Sequence, residues 1–205
     1  MMIKSQYDMI FYPQELDLSP ASLKADEPPE LDHLIRQLQT EGFIGNYFST
    51  RYAPHKETLS GYFIGDNFLK LITFLGCSPH IEVVIPEQIE QWRSFCYIEI
   101  QYQHSPVFFK GLNKPKCSCP VCRARITQAL PDMQQWTPAV LQTVCPKCKA
   151  ATWVEDLNWR HSAGFGQLFL IVHSVYPNEA VPTDKLMNLL DSEVFKNWEY
   201  FYSEE

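Results

Sequence analysis

The chain has 205 residues, 45% hydrophobic and 20% charged, with a formal net charge of −7. That length and composition fit one large domain, or one domain with a small insertion, and exclude a disordered or disulfide-stapled mini-protein. No apolar run approaches the length needed to span a bilayer, and Asp8 interrupts the apolar start, so neither a membrane helix nor a signal peptide is expected and the expected compartment is the cytoplasm.

In chain order, Tyr7 to Tyr12 reads as a short strand, and Pro13 to Pro29, with four prolines, as an irregular connector. A helix is predicted from about Pro29 to Glu41: Leu31, Leu34, Ile35 and Leu38 form one apolar stripe, and Gly42 suits the left-handed position beyond its end. Phe43 to Thr58 has the character of an exposed aromatic loop, in which Arg51, His55 and Lys56 are candidate anion contacts. Between Asp66 and Gly76, polar Asn67, Lys70 and Thr73 recur every third position, which predicts a short buried helix capped by Asp66. His80 to Ile85 and Cys96 to Gln103 read as strands, the second with clear alternation of Ile98, Ile100 and Tyr102 against Glu99, Gln101 and Gln103. His104-Ser-Pro106 is expected to turn the chain into a hairpin partner, and Gly164-Phe-Gly166 to turn it into a central strand, Gln167 to His173. Thr183 is placed to cap a helix running to about Phe195, and the aromatic tail Trp198 to Tyr202 is expected to dock as a last strand. Strands and two or three helices without regular alternation predict an α+β fold with a mixed or antiparallel sheet.

The strongest chemical signal is a pair of C-P-x-C elements, Cys119-Pro-Val-Cys122 and Cys145-Pro-Lys-Cys148, with twenty-two residues between them. A C-x₂-C turn converges two sulfurs on one ion, and two such turns complete the four soft ligands that Zn²⁺ takes. Iron with the same ligands and a redox dithiol are the competing chemistries. A closed four-thiolate site has no open position for water, so the zinc is expected to be structural. Cys117, two residues upstream, reads as a spare thiol.

These paired elements resemble the knuckles of a zinc ribbon over about residues 114–156. The resemblance implies that the second knuckle lies in a hairpin, with 140–144 before it and 150–155 after it. Because the cysteine region sits between strands of the α+β body, it is expected to be a lobe inserted within a body formed by 1–113 and 157–205. Arg123 and Lys149 follow the knuckles where many ribbons have glycine, so looser turns are expected there.

Residues 107–150 hold seven basic residues and one acid, a net +6, which leaves −13 for the remainder. Four thiolates on Zn²⁺ would carry a formal −2, so part of this excess balances the cluster. The expected function is that of a zinc-binding adaptor with a protein partner. Nucleic-acid binding through the basic lobe, with Trp136, Trp153 and Trp159 as stacking candidates, is one alternative. An enzyme using Cys77 and His80, the thiol–imidazole pair of Cys77-Ser-Pro-His80, is another. His161, His173, Arg160 and Glu155 gather near Gly164, with His173 expected to be a satisfied core histidine. No dinucleotide, Walker, G-x-S-x-G or H-E-x-x-H motif is present.

Overall fold

The computed structural model of the protein describes residues 7–18, 28–52, 57–75, 81–112, 116–126 and 141–204. Its centre is a six-stranded antiparallel sheet. In chain order the strands are β1 (Tyr7–Leu16), β2 (Ile44–Tyr52), β3 (Glu57–Ile64), β5 (Tyr97–Lys110), β10 (Ala163–Val172) and β12 (Phe195–Glu204). In space they run β12-β1-β10-β5-β3-β2. Three two-stranded pairs accompany it: β4 (Ile72–Phe74) with β11 (Ala180–Pro182), β6 (Cys117–Ser118) with β7 (Arg125–Ile126), and β8 (Gln142–Val144) with β9 (Ala151–Trp153). Helices α1 (Pro29–Thr40), α2 (Phe68–Leu71) and α3 (Asp184–Leu190) and a 3₁₀ helix, Ile89–Ser94, complete the described elements. The fold is sheet-rich and antiparallel, and no helix among the described residues is long and apolar enough to cross a membrane.

Strand alternation sends Met9, Phe11, Ile98, Leu168, Leu170 and Val172 to one face, where Leu31, Leu34 and Leu38 of α1 and Leu186 and Leu190 of α3 join them in the main core. Ile10, Tyr12, Phe169, Ile171 and Phe201 point to the other face and are buried too, with Val107 and Phe109 packed on them. β10 is thus buried from both sides, which accounts for its near-continuous apolar sequence. Helix α1 stops in a Schellman arrangement. Gly42 has φ 70°, its N–H donates to Gln39, and the Phe43 N–H donates to Leu38. Phe43 and Leu38 then meet in the core.

Several expectations need correction. Helix α2 is a single turn, and Ile72–Phe74 leaves it as a strand because Ala180–Pro182 supplies a partner. Asp66 does not cap it; Asn67 holds that position. The exposed loop expected at 43–58 is instead strand β2, hairpinned to β3, with His55 and Lys56 outside the described residues. β1 extends through Pro13 to Leu16, into the segment expected to be irregular. Of the strand expected at 80–85, the described part forms one isolated bridge, Glu82 to Phe95, and Val84 stands exposed.

Neither His104–Pro106 nor Gly164–Gly166 is a turn. β5 runs unbroken through Pro106, and β10 pairs with it from Ala163. The register shifts between Gly166 and Leu168, and the surplus residues of β5 are absorbed there as a bulge that admits the proline. The far half of this β5–β10 ribbon bends across the second face: a Cβ at Gly164 would come within 2.7 Å of Phe201 and 2.9 Å of Tyr12. The described residues 116–126 and 141–162 lie in the chain between β5 and β10, the two strands of that ribbon. Thr183 does cap α3, its hydroxyl accepting from the Leu186 N–H, but the helix ends at Leu190. The aromatic tail docks as β12, antiparallel to β1.

Candidate metal centre

Each knuckle sits in its own short hairpin. β6 and β7 flank Cys119 and Cys122, and β8 and β9 flank Cys145 and Cys148. The two are built alike. The Cys119 N–H donates to the Ala124 carbonyl and the Arg123 N–H to Cys119, both at 2.9 Å. The Cys145 N–H donates to Ala150 at 2.9 Å, and the Lys149 N–H to Cys145 at 3.0 Å. Arg123 and Lys149 take φ 58° and 62°, the left-handed conformation that glycine adopts without cost. The turns are therefore as tight as glycine would make them, against the expectation of looser ones.

The sulfurs of Cys119, Cys122, Cys145 and Cys148 lie within 4.8 Å of one another. Across the knuckles, Cys119 Sγ is 3.7 Å from Cys148 Sγ, and Cys122 Sγ is 3.6 Å from Cys145 Sγ. Four sulfurs at about 2.3 Å from a tetrahedral zinc are about 3.8 Å apart, so the donor set fits such an ion. Burial follows the internal symmetry: Cys119 and Cys145, first in their knuckles, are buried, whereas Cys148 is exposed. Backbone N–H groups of Cys148 and then Lys147 point at the Cys145 sulfur and, against the effect of burial, bring its thiol down to about 6. At Cys148 the balance is reversed: against the Ala150 backbone N–H, the thiol hydrogen bond with Cys122 raises it to about 12, so the thiolate is favoured at Cys145 and the proton at Cys148.

The cluster has its own small core. Cys117, Cys119 and Cys145 are buried with Ile126, Val154, Leu157, Trp159 and Ala163. Phe108, Phe165 and Trp159 form a ring cluster with centroids 5.0–5.8 Å apart, which fastens this region to the β5–β10 ribbon. Trp159 is buried and its indole N–H donates to the Val154 carbonyl, so it is no stacking platform. Trp153 is half-buried, and Trp136 lies outside the described residues. Cys117 is buried in β6, opposite Ile126, and burial raises its thiol, so it is a packed core residue rather than a surface thiol.

Cys77 and His80 lie outside the described residues. Arg51 is exposed on β2. Glu155 and Arg160 do not join His173. That residue is 5% exposed and sits between Asp8 and Glu99, with Nδ1–Oδ1 and Nε2–Oε2 distances of 3.1 Å. Its ring stacks on Tyr97 at 4.2 Å. Burial opposes its charge, but hydrogen bonds to Asp8 and Glu99 outweigh this and raise it to about 9. Sequence reasoning found the buried histidine but missed both carboxylates. A polar residue beginning an apolar strand (Asp8) was the available signal, and only the register places it opposite His173.

The geometry defines a class of site, a paired-knuckle, four-thiol centre of metal-binding dimensions. No protein-family model matches the chain, and comparison with curated proteins and with solved structures returned no match.

Proposed function

We propose that the protein is a zinc-binding adaptor. In this reading Cys119, Cys122, Cys145 and Cys148 hold one structural Zn²⁺. The ion folds a ribbon-like lobe, residues 114–156, inserted in an α+β body of 1–113 and 157–205, and the lobe is offered to a protein partner. The observation that carries the reading is the sulfur spacing of 3.6 and 3.7 Å across two knuckles of identical hydrogen bonding. Four thiolates leave the ion no open position, so it serves folding rather than chemistry. Binding of this kind contributes roughly 10–16 kcal/mol of apparent free energy. A reducing, cytoplasmic setting agrees with reduced ligands.

The test is hydrogen exchange with and without a chelator, on protein purified with its metal. Loss of protection over 116–126 and 141–154, with the six-stranded sheet unchanged, is the expected result. Unchanged protection in the lobe would sink the reading. For the partner, a photo-crosslinker replacing Val121, which is 71% exposed, should capture a protein only in the metal-loaded state.

A second reading, nucleic-acid binding, draws on Arg123, Arg125, Lys147 and Lys149. All four are exposed and none forms an ion pair among the described residues. It requires salt-dependent binding to single- or double-stranded probes, and no binding at low salt would remove it.

A further inference from the structure

The turn Trp159–Ser162 joins the metal-bearing region to β10 and is closed by the Ser162 N–H on the Trp159 carbonyl at 3.0 Å. Its two central residues, Arg160 and His161, have φ 50° and 56°. Two consecutive left-handed residues are the type I′ geometry that Asn-Gly fills without strain. Arginine and histidine fill it here at a conformational cost, and the surroundings hold them in place. Asn158 Oδ1 accepts the Arg160 N–H at 3.0 Å, Ser162 Oγ accepts the Lys116 N–H at 2.8 Å, and the Gly111 N–H donates to the Ser162 carbonyl at 3.0 Å. A Cβ at Gly111 would lie 2.6 Å from that carbonyl oxygen, so the approach requires glycine.

The side chains repeat one chemistry. His161 Nδ1 lies 3.2 Å from the Tyr200 carbonyl, which can only accept, so Nδ1 carries the proton. Nε2 makes no hydrogen bond among the described residues and is a second donor once protonated. Lys116 is bound to the turn through its backbone, and Lys110 stands opposite Ala163, the residue after it. All four side chains are exposed, and none forms an ion pair among the described residues.

We propose that this turn is an anion site that takes a phosphomonoester dianion, with the Arg160 guanidinium and His161 Nε2 as its donors and Lys110 and Lys116 supplying the field. The planar guanidinium matches a phosphoryl group with two parallel hydrogen bonds, and a strained, over-determined backbone fixes the two residues in succession. Two cationic side chains on successive residues of one turn suit a compact dianion better than an extended chain of phosphodiesters.

The experiment follows the backbone amides of residues 160–162 by NMR in the full, metal-loaded chain, titrated with inorganic phosphate and with glycerol phosphate at constant ionic strength. Saturable shifts confined to the turn and its neighbours are expected. Equal or tighter binding of glycerol phosphate supports the proposal, and binding of inorganic phosphate alone overturns it. Arg160→Gln should weaken binding by about tenfold. The double change Arg160→Asn with His161→Gly should abolish saturation while the protein melts at or above the native temperature, since Asn-Gly relieves the turn. No saturable shift, full binding by the Asn-Gly variant, or a stronger response to oligothymidylate at equal phosphate concentration would each overturn the proposal.

Discussion

Replacing His173 with glutamine should make the protein's stability markedly less sensitive to alkaline pH. In the native fold the imidazolium links three adjacent strands, because Asp8 on β1 and Glu99 on β5 both receive hydrogen bonds from His173 at the end of β10. Its pKa rises from 6.5 to about 9 on folding, which corresponds to about 3 kcal/mol favouring the folded state. The group's folded value lies above its unfolded one. Its contribution is therefore complete below about pH 6.5 and is lost as pH climbs through about 9. Burial raises the Glu99 carboxyl, yet the hydrogen bonds from His173 and Gln101 outweigh this and hold it below the ordinary range, so it stays ionised throughout that window. Urea unfolding of the native chain and His173→Gln across pH 6 to 10 measures the difference, in which other titrating groups cancel. The gap should be about 3 kcal/mol at pH 6 and close to 1 kcal/mol or less at pH 10. Parallel pH profiles for the two proteins would refute a charged His173.

Three other perturbations probe the fold. Thr183→Ala removes the hydroxyl that accepts from Leu186 and donates to the Leu71 carbonyl, and should cost about 1–2 kcal/mol in denaturant unfolding. Gly65→Ala would put a Cβ 2.3 Å from the Gly42 carbonyl oxygen, a backbone atom, and should destabilise by about 1–3 kcal/mol or more; a neutral result would contradict the packing at the end of α1. Arg123→Gly and Lys149→Gly relieve a left-handed backbone at each knuckle, so each should raise the metal-loaded melting temperature or leave it unchanged, and a clear fall would show that the side chains stabilise the turns.

What could be read in advance divides by the range of the interaction responsible. α1 was legible because its leucines, its prolines and Gly42 all lie within one short segment. The Thr183 cap was legible for the same reason. The knuckles were legible because metal-ligand spacing is a local constraint, and the structure then converged the two pairs. Ile72–Phe74 reads as helix in the sequence because its strand partner, Ala180–Pro182, is more than a hundred residues away, and that pairing overrides the local periodicity. Pro106 suggested a turn where a bulge admits it into β5. The conformations of Arg123, Lys149, Arg160 and His161 were not legible at all. Each is a non-glycine residue in a glycine-like conformation, and only the surrounding hydrogen bonds account for it.

The central claim is that Cys119, Cys122, Cys145 and Cys148 together bind one zinc ion. X-ray absorption at the zinc edge, on protein with its metal content measured, tests it directly. One zinc per chain with four sulfur scatterers at about 2.3 Å is the predicted result, falling to three sulfurs or to no retained zinc in Cys145→Ser. A shell containing nitrogen or oxygen in the native chain, or four sulfur scatterers retained in Cys145→Ser, would contradict it.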